Sequence, residues 1–234
     1  GAFRDVEFLP SNPDLVVVDT AIIAKAPVRF LLAGMADALA TGYEARTCVA
    51  NAAARSMVGG RITIAAATIA EICSRTIFEH ADNAVAAVKS GILNESFERV
   101  VEANTLLSGI GFESGGLAAA HAVASALTLV PSIEHRFLHG EMVAVGTMIH
   151  LQLEGDGAEL ERVDTLLARL GLPRALSDLG ITAQDGDGTF VMLVEAACNF
   201  PFMKNGPFEV TPDILKKAIF EVEERRMSSA QYAA

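Results

Sequence analysis

The sequence has no tryptophan, two tyrosines and only 6% aromatic residues, so large rings cannot build its interior. Yet 51% of its residues are hydrophobic. Alanine, leucine, isoleucine and valine must therefore fill the core, a composition that favours closely packed helices. The three cysteines, Cys48, Cys73 and Cys198, lie far apart with no Cys-x-x-Cys pair. That excludes a disulfide framework and suits a reducing compartment. Basic residues are in deficit, 18 Lys and Arg against 29 Asp and Glu, for a formal charge of -11. No basic stripe is left to neutralise phosphates, which argues against nucleic acid as a partner. There is also no charge-free run of the roughly 18 apolar residues that a membrane span needs, and Gly1 to Pro10 does not resemble a signal sequence. These absences point to a cytoplasmic protein with neither a membrane nor a nucleic-acid partner.

What is present is 234 residues, enough for one large domain or two small ones. Leu15 to Val18, between Ser11-Asn12-Pro13 and Asp19-Thr20, has the β-branched composition of a strand, and Val6 to Leu9 is a candidate partner. From Pro27 onward the segments 27–46, 61–91, 94–108, 115–128, 140–154, 157–170, 189–199 and 212–226 have helical composition. Pro27 suits a first turn, Gly91 a helix end, Asn94 a cap, and Thr211-Pro212-Asp213 a helix start. The expected fold is mainly α, with a strand leader over 1–24 and a helical domain over 25–234. A short strand pair is not stable alone, so the leader reads as the edge of something larger.

Three side chains in this helical part carry chemistry. His121 lies among small residues, Gly115-Gly116-Leu117-Ala118-Ala119-Ala120 before it and Ala122-Val123-Ala124 after it, so helices can approach closely and bury it. A lone buried histidine is ordinarily a core residue bonded to a carbonyl. Asp37 is a single carboxylate amid Phe30 to Ala40, and burial without a partner would cost several kcal/mol. A structural partner would be an arginine or a helix N-terminus, but Arg29 and Arg46 lie beyond the i,i+4 reach of one helix. His139 stands before Gly140-Glu141-Met142, where a helix begins, and a helix N-terminus favours the neutral imidazole that binds metals. Alone it reads as a cap or surface residue. Together, one carboxylate and two imidazoles match a catalytic zinc site, which takes three nitrogen or oxygen ligands and keeps one position open.

Other motifs are weaker. His135 and His139 have i,i+4 spacing, but Pro131 and Gly140 leave little room for a helix between them. His80 and His150 read as structural or exposed. Gly109-x-Gly111-x-x-Ser114 approaches a dinucleotide fingerprint but follows a helix instead of a strand. Asp185-Gly186-Asp187-Gly188 hints at a calcium loop, yet its twelfth position is Ala196 where a bidentate Glu is needed. Asn94-Glu95-Ser96 is a chance glycosylation sequon.

The blocks Asn12 to Thr20, Ala33 to Ala40, Glu102 to Gly109, Gly111 to His121 and His139-Gly140-Glu141 resemble, in order, those of the glycerol dehydrogenases in the iron-containing alcohol dehydrogenase family. The resemblance spans roughly residues 6–215. It implies that Asp37, His121 and His139 hold the metal and that Phe112 walls the substrate pocket. Iron-dependent relatives place a histidine four residues after the aspartate; Thr41 stands there, so zinc is implied over iron. Ala124 and Ser125 replace a second His and Asn of the family, which leaves the pocket details open. The family also carries an N-terminal α/β domain that binds NAD, and the resemblance implies that this chain begins at that domain's final strand. The implied activity is oxidation of glycerol, or a similar small polyol, to the ketone with NAD, by a homo-oligomer in which zinc serves as Lewis acid. The alternatives are a non-catalytic helical fragment or assembly module, and a dehydroquinate-synthase-like lyase chemistry on the same architecture.

Overall fold

A computed structural model describes residues 11–184 and 186–231, and within them the chain is helical with no strand. A single turn, α1 (Thr20–Ile23), precedes the long helices α2 (Val28–Ala50) and α3 (Ile64–Ser90). Next, α4 (Glu95–Glu102) passes through a π-helical segment, Ala103–Leu107, into α5 (Ser108–Gly115). Then come α6 (Ala119–Leu127), the short α7 (Pro131–Glu134), α8 (His139–Glu154) and α9 (Gly157–Leu170). Two further helices, α10 (Gly188–Asn199) and α11 (Pro212–Gln231), follow, with 3₁₀ turns at Leu176–Leu179 and Pro201–Asn205.

The helix ends have local causes. Thr63 accepts from the Ala66 amide at 3.1 Å, Asn94 from Phe97 at 3.0 Å and Asp156 from Glu159 at 3.2 Å, each satisfying an orphan N–H of a first turn. Gly91 ends α3 with φ 69°, a left-handed conformation that only glycine adopts at little cost. In the Asp185–Gly188 turn, the Asp187 carboxylate caps α10 through the Phe190 amide at 2.9 Å; Asp185 itself lies outside the described residues.

Two expectations change. The run 15–18 is not a strand, because no segment among the described residues pairs with its backbone, and Leu15 and Val17 are 77% and 79% exposed. A strand is defined by its ladder, and β-branched composition cannot supply the partner. Its expected mate, Val6 to Leu9, lies outside the described residues. The segment 94–108 is also not one regular helix, since the π turn at Ala103–Leu107 interrupts it. There Asn104 packs on Gly34 of α2, where a Cβ would meet its Nδ2 at 2.5 Å.

The core forms where α2, α6 and α8 meet. Every residue of α8 from Gly140 to Leu151 is buried, as expected of a helix enclosed on all sides. Glycines set how closely the helices approach. A Cβ on Gly140 would lie 1.8 Å from the Ala33 carbonyl oxygen of α2, and one on Gly146 would lie 2.2 Å from that of Ala120 on α6. No helix among the described residues is long and apolar enough to cross a membrane.

Candidate metal centre

The site is built from the register of three helices. Arg29, Ala33 and Asp37 are four residues apart on α2 and so form one stripe. The first turn of α8 docks on that stripe residue by residue. Arg29 grips Glu141 with two bonds, Nε to Oε1 at 2.7 Å and Nη2 to Oε2 at 2.6 Å, in the fork geometry that makes such pairs strong. Ala33 receives Gly140. Asp37 then faces His139, whose Nε2 is 3.9 Å from Oδ2. Glu141 also accepts from the Leu138 amide at 2.8 Å, closing the start of α8.

His121, near the start of α6, completes the group. Its Nε2 lies 3.2 Å from Asp37 Oδ1, and its ring centroid is 5.5 Å from that of His139. One donor atom from each of Asp37, His121 and His139 falls within 4.8 Å of the other two. All three predicted ligands are thus together. Tetrahedral bonds of about 2.0–2.2 Å separate donors by roughly 3.3–3.6 Å, so small rotamer adjustments suffice to close the set on one divalent ion. His139 is half exposed while His121 is nearly covered, which gives the cluster one wet side and one dry side.

The electrostatics favour a positive charge at the centre. Burial alone would raise the Asp37 pKa, but the His121 hydrogen bond and the charges of His121 and His139 hold it below the ordinary carboxylate range. Burial opposes a charge on His121, yet the Glu44 and Asp37 carboxylates outweigh it and push this imidazole up to about 10. His139 goes the other way: burial first, then the nearby His121 charge, favour its neutral, ligating form.

Glu44 was not anticipated from the sequence. It lies on α2, seven residues after Asp37 and hence on the same face, and is 0% exposed. Its Oε1 accepts from the Ala118 and His121 amides at 2.8 and 2.9 Å, and its Oε2 is 2.5 Å from His121 Nδ1. The two arginines of α2 pair away from Asp37: Arg29 with Glu141, and Arg46 with Glu154 at 2.5 Å and Asp156 at 3.3 Å.

The remaining histidines stand apart from the three donors. His135 follows α7 and pairs with Glu134 at 2.7 Å, so it shares no helix with His139. His80 meets Ser96 at 3.1 Å. His150 is wholly buried, with Nε2 3.0 Å from Thr47 Oγ1 and Nδ1 without a partner among the described residues. Burial holds its pKa below the ordinary 6.5 despite Glu154 and Glu44. The folded state therefore prefers neutral His150, and its contribution to stability is full above pH 6.5 and lost as pH falls below that value. His150→Gln is expected to flatten the acid limb of a urea-unfolding profile between pH 7.5 and 5.5, by at most about 1.4 kcal/mol per pH unit. Superimposable profiles for the two proteins would refute this.

Phe112 lies on α5, half buried. Its neighbour Gly111 is pressed on Thr41, one turn beyond Asp37, where a Cβ would meet Thr41 Cγ2 at 2.4 Å. Thr41 Oγ1 is itself engaged with Ser108 Oγ at 3.0 Å. The dinucleotide-like glycines of this segment are helical and lack the strand-turn-helix setting that phosphate binding requires. A cavity of about 1200 Å³, lined by Tyr43, Arg46, Arg61, Ile64 and Arg162 among others, opens near the C-terminal end of α2 and includes none of the three donors.

No protein-family model matches the chain. It is 43% identical over 227 residues, 95% of its length, to a glycerol dehydrogenase from Citrobacter freundii. It is equally 43% identical over 226 residues to a glycolaldehyde reductase from Halobacterium salinarum. The chain spans 61% of the length of each of these relatives. Among solved structures, glycerol dehydrogenase from Schizosaccharomyces pombe superposes with a TM-score of 0.90 at 36% identity, covering 97% of this chain and 58% of that one.

Proposed function

We infer the function from the premise that this chain is a homologue of the glycerol dehydrogenases, matching their C-terminal part. We propose that it forms the metal and substrate half of an NAD-dependent polyol dehydrogenase that oxidises glycerol, or a similarly small polyol, to the ketone. The observation that carries this reading is the cluster of Asp37, His121 and His139, with donor atoms mutually within 4.8 Å. Asp37, His121 and His139 would hold a zinc ion and would leave room on it for a substrate oxygen. The Thr41 hydroxyl, spent on Ser108, adds no fourth ligand, which favours zinc over iron. When bound, the ion supplies a Lewis acid that polarises a substrate oxygen.

The chain's own residues do the rest. His121 anchors the dry side, the partly exposed Asp37 and half-exposed His139 line the side where a polyol enters, and Phe112 walls the pocket. NAD is assigned to the part of the relatives that lies beyond the match. Assembly into a homo-oligomer belongs to the same reading, supported by Val58 and Ile64, which are 62% and 88% exposed. So does a cytoplasmic location, in keeping with three unpaired cysteines.

His139→Ala provides the test, because this ring is half exposed and its loss leaves the core intact. NAD-dependent glycerol oxidation by the whole protein is expected to vanish on chelation and return with zinc. The variant is expected to lose at least tenfold in zinc affinity while keeping its circular dichroism spectrum. A wild-type protein that turns over glycerol equally well after metal removal would overturn the proposal.

A further inference from the structure

Glu44 is a carboxylate with 0% exposure, and among the described residues no lysine or arginine bonds to it. An ionised group so placed is costly unless a compensating charge is close. Two of its three contacts, from the Ala118 and His121 amides, serve as a side-chain cap for the start of α6. The third, 2.5 Å to His121 Nδ1, does something a cap does not need. An ionised carboxylate only accepts hydrogen bonds, so Nδ1 must carry the proton. In the neutral imidazole that a metal requires, the lone pair is thereby confined to Nε2, the nitrogen that lies 3.2 Å from Asp37.

We propose that Glu44 is the positioning residue of the metal centre, fixing the His121 tautomer and orientation and supplying, beside Asp37, the second negative charge that balances a divalent ion. This rests on the metal reading above. With Asp37 and Glu44 each at -1 and both imidazoles neutral, a divalent cation would bring the group to zero charge, which offsets the cost of ionised Glu44 on the dry side of the cluster. Partners of this kind, one shell outside the ligands, are worth 10–100-fold in metal affinity.

Glu44→Gln separates the two roles. Its carbonyl oxygen can still accept from the Ala118 and His121 amides, so the cap survives. Its NH₂ then faces Nδ1, a donor against a donor whenever Nε2 binds metal. The variant is expected to keep the wild-type circular dichroism spectrum in chelator yet to bind zinc 10–100-fold more weakly in competition with a chromophoric chelator. Equal affinities in two folded proteins would overturn the inference and leave the metal reading intact; a wild-type protein that binds no zinc would instead remove the metal reading itself. Should Glu44→Gln fail to fold, ¹⁵N spectra of the histidine rings in zinc-loaded wild type decide the matter. A proton retained on His121 Nδ1 with the metal on Nε2 supports the proposal, and metal on Nδ1 overturns it.

Discussion

Gly140→Ala is expected to destabilise the protein by about 1–3 kcal/mol or more and to weaken metal binding in the same variant. In an ordinary helix this change is favourable by about 0.5–1 kcal/mol, so the sign itself is diagnostic. The new Cβ would stand 1.8 Å from the Ala33 carbonyl oxygen, which is backbone and cannot swing aside. The first turn of α8 must lift off α2, and it carries His139 at its first position and Glu141 at its third. Lifting therefore stretches two other contacts of the stripe: the Arg29–Glu141 fork and the approach of His139 to Asp37. Gly109→Ala on α5, where a Cβ meets nothing within 4 Å, is the control and is expected to stabilise slightly. Urea unfolding and zinc titration of both variants check this. A Gly140→Ala protein that gains stability as Gly109→Ala does would refute the docking argument.

That stripe also shows what a sequence can and cannot disclose. The helices were legible because their signals are local: Asn94 caps, Gly91 terminates, and Thr211 precedes a first turn. The π turn at Ala103–Leu107 was not, because Ala-Asn-Thr-Leu-Leu has ordinary helical composition; the turn sits where Asn104 packs on Gly34 in the tertiary structure. The run 15–18 misled for the converse reason. Its composition is that of a strand, but pairing is a relation between two segments.

The same division holds in the site. Asp37, His121 and His139 stood out as polar residues in apolar surroundings, with the family resemblance to bring them together. Arg29 was considered only as a partner for Asp37 on its own helix, whereas it reaches across to Glu141. Glu44 carries no local signal, because in Gly42-Tyr43-Glu44-Ala45-Arg46 it stands beside an arginine and a tyrosine and lacks the all-apolar surroundings of Asp37. Its seven-residue distance from Asp37 was the available signal, two turns along one face. Its burial is decided by the turn at Gly116, φ 85°, which brings Ala118 and His121 onto α2, and no local pattern in α2 records that.

Because Glu44 and His121 depend on each other, removing His121 is expected to cost more than its packing. His121→Ala leaves a carboxylate at 0% exposure with Oε2 facing a cavity, and breaking one side of a buried charge pair typically costs about 3–5 kcal/mol. In the double variant His121→Ala/Glu44→Gln the stranded charge is gone, while an amide oxygen still caps the Ala118 and residue-121 N–H groups. The double variant is therefore expected to be more stable than His121→Ala alone, with a coupling of about 2 kcal/mol, inside the usual 0.5–3 kcal/mol range for groups in contact. Urea unfolding of wild type, both single variants and the double, all in chelator, closes the cycle. Strict additivity would mean that the field between these two groups contributes nothing to the fold. A substantial coupling would mean that zinc loss in His121→Ala mixes ligand removal with partial unfolding, which makes the half-exposed His139 the cleaner ligand to delete.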